Sequence, residues 1–408
     1  MSMNIALTGL DAANQDLSVT SNNLANAATI GFKGSRAEFA DLFAATQQGV
    51  SATAIGNGAQ VAEVAQQFTQ GNIENTGNNL DLALSGNGFF TLSDNGALSY
   101  TRDGQFQLDA NGNVVNDKGL KLQAYPPLPN GGFNTGGLSD LSLTTNQSAP
   151  QATSTAQITA NLPANAGQPP DAVFDPNDPN SYNNTTSLTV YDSLGAAHTA
   201  SLYFVKGAAA NDWSSYLYID GTAVNAPPGE ALDYSNTGAL VTPANGQVAF
   251  PSYTPATGAA PMSITFDFSQ TTQYGDTFGV TAVQQNGFTT GKLTGVSIDS
   301  SGVVQARFTN GRSVNLGQIA LTNFANPQGL QQLGNATWSA TNASGAPVSG
   351  VAGNSGFGTI QSGSLEESNV DTTAALVSMI TAERNFQANA QMIQTDDQVT
   401  QSIINIRP

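Results

Sequence analysis

The pattern of apolar positions separates the two ends of the chain from everything between them. Apolar side chains recur every seven residues over 1–30 and again over 366–406, and a strict period of seven is typical of coiled-coil helices. Between these ends, alternating apolar and polar positions punctuated by Asx-Gly turns predict short β-strands. The predicted fold class is multidomain, with N- and C-terminal α-helices pairing as a coiled coil and two mainly-β domains.

The heptad positions define a candidate assembly seam, because neither helix can bury its apolar stripe alone. We expect the helices to pack against each other or against other copies, and to be poorly ordered in the free monomer. A second C-terminal stripe includes Met392 and Ile406. Ser368 or Asn369 is the expected N-cap of the C-terminal helix, and Gly31 is the expected end of the N-terminal helix. The seam residues are Met3, Leu7, Leu10, Leu17, Leu24, Met379, Phe386, Ile393, Val399 and Ile403.

The strand patterns predict two β-domains, one inserted in the other. Residues 98–115 and 296–321 share short alternating strands and Asx-Gly turns, so we expect them to belong to one domain. If the chain ends pair, the domains nest around the longer, looser loops in the middle. The predicted domains are a terminal helical coiled coil (1–30 with 366–408), a connecting segment (31–71 with 358–365), an inner β-domain (72–145 with 285–357) and an inserted outer β-domain (146–284).

The composition excludes several classes of partner. Only 10% of the 408 residues are charged, against about 25% in an average globular chain. The formal net charge is -18 with 11 Lys and Arg, which disfavours nucleic acid and anionic membrane surfaces. No stretch reaches the roughly 18 apolar residues of a membrane span, so no membrane insertion is expected. The first basic residue is Lys33, so we expect no cleaved secretory signal.

Candidate chemistry is sparse. Cysteine is absent, which excludes thiolate sites, and His198 is the only histidine. His198 lies in a strand pattern without an adjacent Ser or Asp motif, so we expect it on the surface or on an edge strand. Trp213 and Trp338 could stack on sugars, but isolated tryptophans more often belong to cores. Three classes of function therefore compete: a self-assembling structural protein, a secreted adhesin, and an enzyme. Nothing supports the enzyme, and no cofactor or metal is expected.

Motifs at both ends resemble those of the bacterial flagellar rod and hook family. They are LTGLDAANQDLSVTSNNLANAATIGFK (7–33) and GSLEESNVDTTAALVSMITAERNFQANAQMIQTDDQ (363–398), and the internal segment YTRDGQF is also similar. Glu383 stands where many members have Gln, a minor departure. The motif positions taken as candidate functional residues are Asn22, Asn23, Leu24, Asn26, Gly31, Phe32, Lys33, Ser368, Asn369, Val370, Asp371, Arg384, Gln387 and Asn389.

The resemblance implies a subunit of a tubular polymer whose terminal helices line a central channel. Rod members lack most of the 146–284 insertion, so we expect a hook subunit that transmits torque from rod to filament as a universal joint. The alternatives are another axial protein of the distal-rod type and a secreted β-rich adhesin. The implied partners are further copies of the chain, the distal rod protein, the hook cap, the hook-filament junction protein and the flagellar type III export apparatus. The implied location is the extracellular hook, reached without a cleaved signal peptide.

Overall fold

The structure is a computed structural model that describes residues 2–42, 56–143 and 147–405. In these ranges it has two long helices, α1 (Ser2–Ala25) and α2 (Thr372–Asn405), twenty-nine strands and a 3-10 turn at Pro327–Gly329. Neither of these helices is apolar over a length that would cross a bilayer. The chain divides into unit 1 (residues 1–145, 295–307 and 313–408) and unit 2 (146–294 and 308–312). The terminal helices and the β-rich body confirm the predicted fold class.

The strands follow in chain order. Those before unit 2 are β1 (Ser35–Asp41), β2 (Ala59–Gln66), β3 (Ile73–Asn75), β4 (Leu82–Ser85), β5 (Phe89–Asp94), β6 (Ala97–Thr101), β7 (Gln107–Leu108), β8 (Val114–Val115), β9 (Lys121–Tyr125) and β10 (Ser139–Asp140). Those of unit 2 are β11 (Thr155–Pro163), β12 (Asn184–Tyr191), β13 (Ala197–Lys206), β14 (Asp212–Ile219), β15 (Thr222–Ala223), β16 (Glu230–Tyr234), β17 (Leu240–Thr242), β18 (Gln247–Ala249), β19 (Thr265–Asp267), β20 (Thr272–Tyr274) and β21 (Gly279–Gln285). The remainder are β22 (Leu293–Ile298), β23 (Val303–Phe308), β24 (Ser313–Asn323), β25 (Gln331–Gly334), β26 (Thr337–Ser339), β27 (Val348–Val351), β28 (Thr359–Ser362) and β29 (Ser364–Glu366).

Unit 2 has a five-stranded sheet around β11 and a six-stranded sheet in the order β12-β13-β14-β16-β17, with β15 beside β14. Buried and exposed positions alternate along β11 and β13, because successive side chains of a strand point to opposite faces. Residues of both sheets meet in one core, which includes Ile158, Leu202, Phe204, Trp213 and Phe266. The core position predicted for Trp213 is confirmed.

Unit 1 is built on a large sheet with the path β22-β23-β24-β9-β5-β6-β26-β25. One core packs Leu84, Phe90 and Ile319, and a second, aromatic cluster contains Trp338, which confirms its predicted core position. Two short antiparallel pairs, β3 with β29 and β4 with β28, join the early and late parts of the chain. Residues 73–85 are thereby held beside the backbone that leads into α2.

Helices α1 and α2 pack together in antiparallel directions. A Cβ added at Gly9 would lie 2.8 Å from the side chain of Asn389, whereas Asn23 and Asn369 both lie beside Gly34. The buried positions of the pair are small residues, which allow a close approach of two helices. They are Ala6, Ala13, Thr20 and Ala382.

The larger seam residues are less buried than these small ones in the single chain. Leu10, Leu17, Leu24, Met379, Phe386 and Ile393 are half-buried, while Met3, Leu7 and Val399 are exposed. Ile403 belongs to α2, but its side chain is not among those described, and Ile406 lies outside the described residues. The seam is predicted to form between copies in a polymer, and a single chain does not test it, so it stays a prediction.

The predicted helix ends are wrong in detail. The helical pattern spans 1–30, but α1 ends at Ala25 because the Asn26 amide and the Thr29 hydroxyl form local hydrogen bonds that compete with the helix. Glu366, placed in the second helix by its pattern, belongs to β29. The N-cap of α2 is Asp371, and neither Ser368 nor Asn369 has that role.

Two stretches of the predicted inner β-domain are grouped differently by the structure. Residues 285–294 and 308–312 belong to unit 2. Gln285 at the end of β21 pairs with Ala156 of β11, and the 308–312 turn is bonded to residues 289–292 through Thr309 and Asn310. The other predicted domain boundaries stay predictions.

Candidate functional site

Motif residues from the two chain ends converge at one place in unit 1. The Gly31 N–H donates to the Glu366 carbonyl at 2.8 Å, and the Asn369 N–H donates to the Phe32 carbonyl at 3.4 Å. Segment 66–72, which follows the β1–β2 hairpin, lies against both. We call this place the junction, and define it as residues 31–35, 66–72, 101–104 and 364–371.

A buried ion triad lies at the centre of the junction. The Lys33 Nζ donates to Glu366 Oε1 at 2.6 Å, and the Arg102 Nη1 donates to Glu366 Oε2 at 3.0 Å. The Lys33 and Glu366 side chains are fully buried, and that of Arg102 is 6% exposed. One carboxylate is thus shared by two cations, which leaves a buried net charge of +1 when all three are ionised.

Backbone groups satisfy several of the remaining hydrogen-bond donors and acceptors of the triad side chains. Lys33 also donates to the Thr69 carbonyl at 2.8 Å, Glu366 Oε1 accepts from the Gly71 N–H at 2.9 Å, and Arg102 donates to the Gly86 carbonyl at 2.7 Å. These bonds matter because a buried charge without partners is very costly.

The electrostatics of the triad depend on Glu366. Burial lowers the pKa of Lys33 from its ordinary value, Glu366 opposes that shift, and Arg102 adds to it. Burial likewise lowers the pKa of Arg102, and Glu366 again acts in the opposite direction. Glu366 is therefore the group that keeps two desolvated cations charged.

Two asparagines fasten the helices to the junction. The Asn23 side chain donates to the Ser35 carbonyl at 2.6 Å and accepts from the Ser35 N–H at 2.8 Å, which ties α1 to the start of β1. The Asn369 side chain accepts from the Gly34 N–H at 2.8 Å and donates to the Gln67 carbonyl at 2.6 Å. Each of these amides uses both its donor and its acceptor, so another residue type could not replace it fully.

Gly31 allows the chain to turn against the 101–104 loop. Its φ of +67° is a conformation that side chains rarely adopt, and a Cβ there would lie 2.4 Å from the Asp103 backbone nitrogen. Burial, with smaller contributions from Asp117 and Asp81, raises the pKa of the neighbouring Asp103 to about 6, against the opposing hydrogen bond from the Gln105 N–H.

The structure brings some of the predicted motif residues together and leaves others apart. Asp371 caps α2, since its Oδ1 accepts from the Thr373 and Ala374 N–H groups at 2.8 and 3.0 Å. The Ser368 hydroxyl accepts from the Val370 N–H at 3.3 Å, and Val370 lies against Gly34. Three motif residues lie further along α2: Arg384 and Gln387 are exposed, and Asn389 faces Gly9. Three others lie near the end of α1, where Asn22 is exposed and Leu24 and Asn26 are half-buried.

Sequence reasoning missed the two most consequential residues of the junction. Glu366 lies within the C-terminal motif and Arg102 within the segment YTRDGQF, but neither pattern predicts a buried ion pair. The chain has only 11 basic residues. Lys33 lies between Phe32 and Gly34, and Arg102 directly precedes the Asp103-Gly104 turn. A scarce charge in an apolar setting predicts a buried partner, and this signal could have directed attention to them.

The expectation for His198 is wrong. The residue is 6% exposed and lies on β13, between β12 and β14 in the middle of a sheet. Asp192 and Asp220 contact its two ring nitrogens. The sequence pattern could not show this, because both carboxylates belong to turns at the ends of other strands.

The junction has the character of a structural joint. The charged groups of its ion triad are bonded to one another and to backbone. No group of three metal-ligating side chains occurs within residues 2–42, 56–143 and 147–405. What the arrangement can do is hold the exit of α1, the entry of α2 and the first hairpins of the β-body in one fixed geometry.

Family models match most of the chain in consecutive segments. Residues 3–33 match the model for flagella basal body rod protein, and residues 83–166 match the D1 domain of flagellar hook protein FlgE/F/G. Residues 161–288 match the flagellar basal body protein FlaE D2 domain, and residues 361–406 match the C-terminal model of flagellar basal body rod FlgEFG protein. The three residues of the ion triad thus come from three of these segments.

Full-length relatives carry one description. The chain is 40% identical to flagellar hook protein FlgE of Escherichia coli and 39% identical to that of Salmonella typhimurium, each with 100% of both chains covered. It is 33% identical to that of Rhizobium meliloti over 99% of this chain and 98% of the relative. The crystal structure of Helicobacter pylori flagellar hook protein FlgE2 shares the fold, with a TM-score of 0.53 at 14% identity over 71% of this chain and 99% of the other. The chain therefore belongs to the flagellar hook protein family.

Proposed function

We propose that this hook subunit assembles with copies of itself into a flexible tube that carries torque as a universal joint. In the tube, α1 and α2 form the inner wall through apolar contacts between copies, and the β-units form the outer parts. The assembly seam consists of the heptad residues of both helices.

The observation that carries this proposal is the apolar surface left on the heptad stripes of α1 and α2. Met3, Leu7, Met392 and Val399 are each about half exposed in the single chain. Exposed apolar patches mark interaction sites. Full burial of such a side chain is worth about 1.5–3 kcal/mol, of which about half remains to be gained here. The small buried residues of the α1–α2 pair leave these larger ones available to other copies.

The junction supports a mechanical role. A tube that transmits torque needs each subunit to resist twisting between its helices and its β-body. The ion triad and the Asn23 and Asn369 bonds oppose such twisting, because a small rotation would separate Glu366 from two cations that are almost fully buried. The helix pair and the β-body of unit 1 accordingly move as one part of the joint.

The scarcity of charge supports flexible contacts between the outer parts. Asn, Gln, Ser and Thr surfaces form many similar, water-bridged contacts that exchange at small cost. With 10% charged residues, few ion pairs are available to lock one arrangement. Copies can then slide past one another as the tube bends.

The remaining partners follow from the position of a hook. The tube contacts the distal rod protein at its base, a cap during growth and a hook-filament junction protein at its end. The subunit reaches the cell exterior through the flagellar type III export apparatus without cleavage of a signal peptide. Of the alternatives, neither a distal-rod-type protein nor a secreted adhesin is favoured by full-length similarity to hook proteins.

The test replaces an exposed apolar residue of α2. Met392→Asp should leave a soluble, folded subunit, because the side chain is 52% exposed in the single chain, and should abolish sedimentable tubes. Gln394→Asp is the matched control, since it adds the same charge at an exposed polar position on a different face of α2, and should still assemble. Normal tubes from Met392→Asp, seen by electron microscopy, would contradict the proposed seam.

A further inference from the structure

The side chain of His198 lies between two carboxylates inside unit 2. Its Nε2 is 3.2 Å from Asp192 Oδ2, and its Nδ1 is 2.5 Å from Asp220 Oδ2. The Asp192 side chain is fully buried, whereas that of Asp220 is 43% exposed. A neutral imidazole has a single N–H and can donate to one of them only, while an imidazolium donates to both.

The three side chains connect turns that are distant in sequence. Asp192 Oδ1 accepts from the Leu194 and Ala196 N–H groups of the β12–β13 turn, at 2.9 Å each. Asp192 Oδ2 also accepts from the Thr257 hydroxyl at 2.7 Å, in the segment between β18 and β19. Asp220, in the turn after β14, accepts from the Thr199 N–H at 2.9 Å.

A second bond joins the same two segments. The Ala260 N–H donates to the Ser193 hydroxyl at 2.9 Å. Segment 251–263, between β18 and β19, is thus attached to the β12–β13 turn through Thr257 and Ala260, directly beside the histidine. Any repulsion that displaces Asp192 acts on this attachment.

The titratable groups that face the ring come from three elements. They are Asp192, Asp220 and the phenol of Tyr253, whose ring centroid is 6.2 Å from that of His198. Among the described residues, His198 is the only cation that forms an ion pair with either carboxylate. Protonation of His198 therefore decides whether two anions in this cluster are compensated.

The pKa directions agree with this geometry. Burial lowers the pKa of His198, but the hydrogen bonds and charges of Asp220 and Asp192 outweigh it and leave the pKa above 6.5. Burial raises the pKa of Asp192, but the Thr257 hydroxyl, the Ala196 N–H, His198 and the Leu194 N–H together lower it to about 2. Asp220 is likewise shifted below its ordinary pKa, since its bonds from His198 and Thr199 outweigh burial.

We propose that His198 is a proton-operated clasp that fastens segment 251–263 to the β12–β13 turn. In the protonated state the ring donates to Asp192 and Asp220 together. Loss of one proton to solvent leaves a nitrogen lone pair facing a carboxylate oxygen, most directly that of Asp192, because the Nδ1–Asp220 bond is the shorter. Asp192 and Thr257 then separate, and the part of the segment around Thr257 and Ala260 loosens, while Met262 stays in the core of unit 2.

The sign of the pH dependence follows from these shifts. Because the folded-state pKa of His198 is raised, its stabilisation is fully present below 6.5 and is lost as pH rises through the folded value. Because that of Asp192 is depressed, its stabilisation is present above 3.8 and is lost as pH falls toward 2. The clasp is closed between these limits and opens on the alkaline side.

The first test uses the full-length chain and its single histidine. In a protein labelled only at histidine, the ring resonances report His198 without ambiguity. We expect one titration with a pKa above 6.5 and nitrogen shifts of a doubly protonated ring on the acid side. A pKa at or below 6.5, or a neutral tautomer at pH 6, would overturn the proposal.

The second test measures amide hydrogen exchange of Leu194, Ala196 and Ala260 across the titration, after correction for the intrinsic rate. Exchange should accelerate above the His198 pKa, about tenfold per unit by which that pKa exceeds its ordinary value. His198→Gln should exchange fast at every pH, and Asp220→Asn should lower the histidine pKa. Asp233→Asn removes the same charge from unit 2 at a position outside the cluster and should change neither quantity. Equal exchange in wild type and His198→Gln throughout would refute the clasp.

Discussion

The carboxylate of Glu366 is shared by Lys33 and Arg102, so these three buried side chains behave as one electrostatic unit. Removing the shared anion leaves two desolvated cations facing each other. Removing one cation leaves a neutral pair that keeps its hydrogen bonds. Loss of Glu366 should therefore destabilise the fold more than loss of either cation.

We predict that Glu366→Gln lowers the free energy of unfolding of unit 1 by about 3–5 kcal/mol, because two buried cations lose the carboxylate that they share. Lys33→Met should cost clearly less, since the Arg102–Glu366 pair remains. Denaturant titration of the full-length monomer measures both. The control is Glu74→Gln, an exposed residue of β3. A loss for Glu366→Gln no larger than that of Lys33→Met would refute the shared-anion account.

The carboxylate of Asp103 gives a separate prediction on pH. Its pKa is raised from 3.8 to about 6, so the ionised form destabilises the folded state above pH 6, and this penalty disappears as pH falls toward 3.8. Asp103→Asn keeps an acceptor for the Gln105 N–H and removes the charge. We expect a gain of about 1–2 kcal/mol at pH 8, discounted for partial exposure of the side chain.

Melting of wild type and Asp103→Asn at pH 8 and at pH 4.5 checks the prediction, because the difference should shrink at the lower pH. A gain that is the same at both values would mean that the substitution acts through packing and not through charge.

The two helices show how far the sequence could predict elements. The period of seven identified both, because coiled-coil periodicity is a property of neighbouring positions and needs no tertiary knowledge. The same pattern could not give the ends of the helices. Asn26 and Thr29 decide the end of α1, and Asp371 decides the start of α2, through side-chain hydrogen bonds that a seven-residue period does not encode.

The functional residues likewise fall into those that a local sequence pattern identifies and those that only tertiary contacts reveal. Motif resemblance found Lys33 and Asn369, but Arg102 and the role of Glu366 required contacts that no local pattern encodes. The His198 cluster was missed for the same reason, as its two carboxylates belong to turns after β12 and β14. Local chemistry was predictable, whereas the identity of the partner that compensates each buried charge was not.

At the level of elements, Leu17→Asp and Phe386→Asp should give soluble subunits that do not assemble. Both residues are half-buried in the helix pair and neither belongs to a β-core. In a polymer each would bury a charge beside apolar neighbours, which is costly without a partner. Sedimentation measures assembly, and thermal melting of the monomer should change little.

Gln15→Asp and Gln394→Asp are the matched controls, as both add the same charge at exposed positions of α1 and α2. Tubes from Leu17→Asp or Phe386→Asp would rule out the seam. A large loss of monomer stability would show instead that these side chains serve the single-chain core.

At the scale of the whole molecule, the β-body is completed by strands that come late in the chain. β28 pairs with β4 and places Ile360 in the core of unit 1, and β29 pairs with β3. The sequence pattern predicts that the inner β-domain ends at residue 357, so a fragment 72–357 would stop before both of these strands. The structure indicates that such a fragment would lack part of its core.

We therefore predict that fragment 72–366 melts cooperatively and at a higher temperature than 72–357. Loss of Ile360 alone should cost about 2–5 kcal/mol, the usual range for deleting a large buried aliphatic side chain. Circular dichroism melting of both fragments checks this. Equal melting temperatures would show that β28 and β29 add no stability to the body.

The separation of Lys33 and Glu366 along the chain has a consequence for the order of folding. The two residues are 333 positions apart, so the segment made first cannot complete its ion triad until almost the last residues exist. A chain that stops before residue 366 contains Lys33 and Arg102 but lacks the carboxylate with which both form ion pairs. Closing so long a loop is also slow, because distant contacts must wait for the chain between them. In truncated products the junction should therefore stay unfolded and be cleaved by proteases. Only subunits that contain both chain ends would then be protected from proteolysis.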